Sequence, residues 1–283
     1  MPQTAGTDSQ GPDELLAEVL ARYDESPNPR LQEVMQAAIR HVHAFAREVD
    51  LQRDEWFAAI QWLTATGQMC SDTRQEFILL SDTIGLSTLV EMINYSPTSG
   101  TTENTVLGPF YAAGSPERGI GESMLDDEDS GDKVVVRGTI TNVDGEPLAG
   151  VVLDCWQSNT DGWYTVQKAD GQSEFNLRGI YHSDADGRYE IRTVRPGKYP
   201  IPHDGPVGQL LKANNRGWMR PGHLHTWVKH PGYKELITHI FDRKSDHLYD
   251  DAVFGVRESL IVDFEPEETG ELAATFDFVL DRI

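Results

Sequence analysis

A chain of 283 residues is long enough for one large domain, or for a core domain with an accessory one. Its net charge of −22 argues against nucleic acid and against an anionic membrane surface as partners. No uninterrupted apolar run reaches the roughly 18 residues that a membrane span needs.

The opening, MPQTAGTDSQGPDE, has no basic stretch followed by an apolar one, so no secretory signal is expected. Residues 1–12 read as a disordered lead-in. Cys70 and Cys155 fit no metal or redox spacing, and a reducing cytoplasm is their simplest setting.

Residues 13–104 read as a helical domain. A short helix is expected from Asp13 to Tyr23. Leu31, Val34, Met35, Ala38, Ile39, Val42, Phe45, Ala46 and Val49 then recur at three- and four-residue steps, an amphipathic pattern with Pro29 at its start. Further helices are expected over 54–69 and 72–94. Asp72 and Gln75 open the latter as a capping-box-like run, and Gly85 interrupts it. So small an appendage cannot bury all its apolar stripes alone. Packing against a second copy, a homodimer through these helices, is expected.

The composition shifts near Ser96 to a Thr-, Ser- and Gly-rich connector. From Lys133 onward the period is two. Strands are expected over 133–141, 151–156, 187–193, 223–229, 235–241, 260–264 and 273–280, with a turn at Asp144-Gly145. Many short strands separated by turns suggest a sandwich. The fold class is therefore α+β: a helical N-terminal domain followed by an all-β sandwich over 105–283.

The chemistry centres on Arg220-Pro221-Gly222-His223-Leu224-His225-Thr226-Trp227-Val228. On a strand, His223 and His225 point to one face, where two imidazoles can grip one metal ion. A half-exposed strand face carrying two histidines is the competing reading. Tyr164 and Tyr199 each sit at a polar turn beside a strand end, where a sheet can aim them into a shared pocket. Ordinary aromatic packing is the alternative. Two phenolates and two imidazoles would leave Fe(III) one positive charge, which hydroxide neutralises, and hard anionic donors favour the ferric state. A β-sandwich binding module needs neither iron nor both tyrosines. A zinc hydrolase would find phenolate a poor ligand.

Thr105-Val106-Leu107-Gly108-Pro109-Phe110-Tyr111, Gln172-Ser173-Glu174-Phe175-Asn176-Leu177-Arg178, Asp204-Gly205-Pro206 and Arg220 to His225 occur in order. Together they resemble the intradiol ring-cleaving dioxygenases, over about residues 30–265. The resemblance is to the catechol type with helices at the N-terminus. Within it, Pro200-Ile201-Pro202-His203-Asp204-Gly205-Pro206-Val207-Gly208, Thr238-His239-Ile240-Phe241 and Asp251 to Val256 look like the enzymes acting on hydroxyquinol, with catechol or chlorocatechol as the alternative substrate.

The resemblance implies a β-sandwich with one non-haem Fe(III) per chain, held by Tyr164, Tyr199, His223 and His225. Tyr199 takes the axial role and Tyr164 an equatorial one. It implies an aromatic diol or triol and O2 as substrates, with Arg220 stabilising negative charge on the ring. Leu80, Val106, Gly108, Pro109, Phe110, Pro200, Ile201, Pro202, His239 and Val253 would contact the substrate. Asp82 is the candidate partner of the third hydroxyl, against a plain solvated helical Asp. Asp82 and Leu80, two residues apart, share a helix face only if the helix is irregular near Gly85. His239 is expected to support the ligands or Arg220, or to be an ordinary strand histidine. Members of the group often hold a phospholipid between their N-terminal helices, and the resemblance extends that expectation here.

Overall fold

A computed structural model describes residues 11–71, 74–95, 100–167 and 171–283. Residues 1–10 of the lead-in expected over 1–12, and the capping run at Asp72, lie outside the described residues, and Pro12 already opens a helix. The chain separates into two units, Met1–Thr64 and Ala65–Ile283.

The first unit holds α1 (Pro12–Ala21), α2 (Pro29–Glu48) and most of α3 (Arg53–Gln68). α2 begins where Pro29 presets the backbone and the Asn28 side chain accepts the Leu31 N–H. Gln36 reaches the Leu20 carbonyl and the Asp24 carboxylate, and Arg47 pairs with Asp13, tying α2 to α1. No residue of α1 or α2 is buried, and Leu31, Val34, Val42 and Phe45 keep their stripe at the surface.

The second unit opens with α4 (Glu76–Thr83) and α5 (Leu86–Asn94). The single helix expected over 72–94 is thus two. Gly85 sits between them at φ +77, a left-handed conformation that an α-helix cannot continue through.

Twelve strands follow among the described residues. They are β1 (Lys133–Asn142), β2 (Val152–Gln157), β3 (Arg178–His182), β4 (Arg188–Val194), β5 (Tyr199–Pro200), β6 (Met219–Arg220), β7 (His223–Lys229), β8 (Leu236–Asp242), β9 (Ile261–Val262), β10 (Glu265–Pro266), β11 (Leu272–Thr275) and β12 (Phe278–Leu280). The strand expected over 273–280 is two, β11 and β12, both parallel to β1. One helix that the sequence did not announce, α6 (Pro206–Ala213), lies between β5 and β6.

One sheet runs β10-β11-β1-β12 with β4 beside β1; the other runs β3-β2-β7-β8-β9. β5 and β6 form a separate two-stranded ribbon. Val134, Val136, Ile191 and Phe278 from the first sheet meet Leu153, Tyr181, Leu224 and Ile240 from the second in one apolar core. That core makes a sandwich, and its outer face at β7 carries the histidines. No helix among the described residues is long and apolar enough to cross a membrane.

Candidate active site

Leu224 and Val228 turn into the inter-sheet core, so His223 and His225 project from the opposite face of β7. β7 lies between β2 and β8, with Trp156 and His239 directly opposite His225 in register. Trp156 lies flat on His225, centroids 4.5 Å apart and planes at 12°. The Pro221 carbonyl is 2.8 Å from His223 Nδ1. A carbonyl only accepts, so Nδ1 carries the proton and Nε2 presents a lone pair. His223 Nε2 and His225 Nε2 are 3.0 Å apart.

Tyr164, in the loop after β2, brings its Oη to 3.2 Å from His225 Nε2. Tyr199 on β5 pairs with Arg220 on β6. Arg220 Nη1 donates to Tyr199 Oη at 3.1 Å and stands 3.4 Å from His223 Nε2. The two tyrosine rings meet edge-on at 5.1 Å. Phe110 stacks on Tyr164 at 4.6 Å and meets Tyr199 edge-on at 5.8 Å. All four side chains named by the sequence therefore converge on one buried point.

Burial raises the proton affinity of both phenols, and Arg220 pulls each back down. Burial, with the positive Arg220 nearby, pushes His223 down to about 3 and His225 well below its ordinary value. The imidazoles are neutral donors, and the phenols yield their protons only to a strong Lewis acid. Two oxygen donors beside two imidazoles fit a ferric ion better than zinc, which prefers Cys, His and carboxylate.

His239 adds a third imidazole, and ligand atoms of His223, His225 and His239 all lie within 4.8 Å of one another. Neither of its ring nitrogens has a well-formed hydrogen bond among the described residues, although the Val106 backbone lies within reach.

Of the residues expected to meet substrate, Asp82, Val106, Gly108, Pro109, Phe110, Ile201 and Val253 line one narrow cavity together with Tyr199 and Arg220. Pro202 stands at its wider mouth, beside Arg74 and Glu76. Burial raises the Asp82 carboxyl, while its contact with Ser87 and the charge of Arg220 oppose this.

Three expectations need correction. Leu79, not Leu80, joins Asp82 on the cavity face of α4, because residues three apart share a helix face and residues two apart do not. Pro200 is exposed, since Tyr199 before it points inward and a strand alternates. His239 is fully buried behind the histidine pair and is not part of the cavity lining.

The sequence reading missed Trp156, whose role depends on strand register. It quoted Arg178 and Asp251 in motifs but gave them no role. Arg178 Nη2 donates to the Phe110 carbonyl at 2.7 Å and its Nε to Thr165 Oγ1 at 3.0 Å, bracing both Phe110 and the Tyr164 loop. Asp251 holds Arg220 from behind, Nε to Oδ1 at 3.0 Å.

Residues 106–282 match the family model described as Dioxygenase, and residues 28–102 match Catechol dioxygenase N terminus. The 6-chlorohydroxyquinol 1,2-dioxygenase of Cupriavidus pinatubonensis is 48% identical, with 93% of this chain and 95% of that protein covered. The hydroxyquinol 1,2-dioxygenase of a Rhizobium species is 44% identical, over 98% of this chain and 94% of the other. The crystal structure of hydroxyquinol 1,2-dioxygenase from Pseudomonas putida superposes with a TM-score of 0.91 at 44% identity, covering 96% of this chain and 99% of that one. Both parts of the chain carry the family's sequence, and this chain belongs to the intradiol ring-cleaving dioxygenases.

Proposed function

We propose that this dioxygenase cleaves hydroxyquinol between its two vicinal hydroxyl-bearing carbons, using one Fe(III) per chain held by Tyr164, Tyr199, His223 and His225. Family membership implies non-haem iron and an aromatic diol as substrate. The overall conversion adds both atoms of O2 to the ring and gives 3-hydroxy-cis,cis-muconate, the enol form of maleylacetate. The observation that carries the ligand assignment is the convergence of His223 Nε2, His225 Nε2 and Tyr164 Oη within 3.0–3.2 Å contacts. The substrate assignment is supported by the named activities of relatives 44–48% identical and by the buried Asp82 carboxyl in the cavity wall.

Iron bound there supplies a Lewis acid that makes the chelated ring reactive toward O2 at carbon. The chain's own residues do the rest. Tyr199 Oη would hold the iron and would accept one hydroxyl proton of the incoming substrate. Arg220 Nη1, already 3.1 Å from that oxygen, faces the charge left on the ring. Val106, Ile201 and Val253 hold the ring between apolar walls that keep water out. Asp82 accepts a hydrogen bond from the third hydroxyl, and a ring lacking that hydroxyl leaves this buried carboxyl one hydrogen bond short.

The apolar stripe of α2 supports a homodimer through the helical region 13–104. The same stripe is where a phospholipid chain would lie. A cytoplasmic setting belongs to the same proposal.

The test is O2 uptake by purified, iron-loaded protein with hydroxyquinol, 6-chlorohydroxyquinol and catechol in parallel, after recording its visible spectrum. A coloured protein that turns over the triols faster than catechol is expected. Faster catechol turnover would overturn the substrate assignment, and a colourless iron-loaded protein would overturn the tyrosine ligands.

A further inference from the structure

Arg220 is a full charge buried to 2% exposure, and such a charge is costly unless paired. Its partner is Asp251, itself buried, in the loop that follows Asp250. Arg220 Nε donates to Asp251 Oδ1 at 3.0 Å and Nη2 to Oδ2 at 3.4 Å. The carboxylate therefore occupies one edge of the guanidinium and leaves Nη1 free. Nη1 is the atom that meets Tyr199 Oη and His223 Nε2.

The carboxylate is itself fixed. Its Oδ2 accepts the Gly255 N–H at 2.9 Å and its Oδ1 the Val253 N–H at 3.4 Å. Its loop is pinned at two further points, by the Ala252 N–H to the Met219 carbonyl on β6 and by Thr88 Oγ1 to the Val253 carbonyl. Gly255 closes the cage, since a Cβ there would lie 2.9 Å from Arg220 Nη2.

We infer that Asp251 is a positioning residue for the reaction: it fixes the rotation of the Arg220 guanidinium so that Nη1 is aimed at Tyr199 Oη. The pairing does more than neutralise a buried charge. A planar guanidinium presents several N–H edges, and a carboxylate on a different edge would neutralise it equally while turning Nη1 away. Because Asp251 satisfies Arg220, Asp82, which lines the same cavity, need not serve as its counter-ion and is left for substrate. This inference rests on the role proposed above for Arg220.

The test compares Asp251→Asn, Gly255→Ala, Arg220→Met and the double variant Asp251→Asn/Arg220→Met as iron-loaded full-length protein. Asp251→Asn should lower kcat about ten- to a hundredfold, as misplacing a reacting group by about 1 Å does. Iron content should stay within about twofold, because Asp251 bonds Arg220, Val253 and Gly255 and none of the four proposed ligands, so the effect falls on kcat. A crystal structure of Asp251→Asn should show the guanidinium turned from Tyr199. In the Arg220→Met background, adding Asp251→Asn should cost almost nothing further, since a residue acting through Arg220 has nothing left to position.

Gly255→Ala keeps every charge and displaces Nη2, so it decides the matter where Asp251→Asn does not fold. It should reproduce the fall in kcat at normal iron content. Wild-type kcat in both Asp251→Asn and Gly255→Ala, or losses that multiply in the double variant, would overturn the inference. Arg220→Met at the wild-type rate would instead remove the role of Arg220 itself.

Discussion

His239 stands directly across from His225 on neighbouring strands, ring centroids 4.3 Å apart, and its ring is 4.4 Å from that of His223. Three imidazoles are thus packed into one buried volume. Burial, together with the neighbouring positive charges, holds His223 down to about 3 and the other two well below their ordinary value. The unfolded chain binds these protons near the ordinary value of about 6.5. Unfolding below that pH therefore takes up protons, so the metal-free protein loses stability as pH falls from about 6.5 toward 3. Three such groups give a slope on the order of 4 kcal/mol per pH unit. His239→Leu should remove about one third of that slope. Urea melts of the metal-free proteins between pH 6.5 and 4.5 check this, and equal slopes for the two proteins would sink it.

The tyrosines make the opposite contribution on metal binding. Both phenols are held protonated at neutral pH by burial, while the histidines are already neutral. Loading Fe(III) should then release at least two protons per ion at pH 7, one from each phenol and none from His223 or His225. Affinity should rise with pH accordingly. Tyr164→Phe and Tyr199→Phe should each release one proton fewer and lose part of the visible tyrosinate absorption. An indicator-dye titration in weak buffer measures the count. Unchanged release in either variant would mean that its phenol is not a ligand.

Leu79 and Asp82 predict how the cavity sorts its substrates. Asp82→Ala should lower the hydroxyquinol-to-catechol ratio of kcat/KM by roughly 10- to 100-fold, mainly through the triol. Leu79→Ala opens the cavity wall and should raise KM for both substrates. Leu80→Ala, one position off that face, should leave both within about twofold. Steady-state O2 uptake on the three variants separates these outcomes. A larger effect from Leu80 than from Leu79 would contradict the placement of α4.

What the sequence discloses depends on how local the determinant is. His223 and His225 declare their shared face by a spacing of two, and the long amphipathic α2 by its period. The break at Gly85 was visible as a glycine, but the choice between an interrupted helix and two helices depends on its left-handed backbone. Leu79 rather than Leu80 joins Asp82 at the cavity because both lie within α4, three residues apart. β5 and β6 are two residues each, too short for any period, yet their pairing sets Tyr199 against Arg220. Trp156 on His225 and Asp251 on Arg220 are contacts across 69 and 31 residues of chain, and no local pattern encodes them. The family motifs supplied the four converging side chains, but they named Pro200 and Leu80 where the alternation of strand and helix puts other residues.

Glu76 links the cavity mouth to the stability of the second unit. Its carboxylate is fully buried; Oε2 accepts from Arg74 Nε at 3.1 Å and Nη2 at 2.9 Å, and Oε1 accepts the Val207 N–H at 3.1 Å. Gly205, before α6, has no side chain to cap it, so Glu76 from α4 supplies the missing acceptor. Arg74 continues to Asp204 at 2.8 Å, so one guanidinium fastens α4 to the turn that leads into α6. Glu76→Ala strips the cap and removes one of Arg74's two carboxylates; Asp204 keeps Arg74 paired, which limits the loss to about 2–3 kcal/mol. For a unit of this size that lowers Tm by roughly 5–10 °C. Glu76→Gln keeps an oxygen for the Val207 N–H and should cost about half as much. Because Arg74 and Glu76 also line the mouth, KM for hydroxyquinol should rise in Glu76→Ala while the iron content holds. Thermal melts and steady-state kinetics on the two variants give the answer. A Glu76→Ala protein melting with the wild type would show that α6 needs no cap from α4.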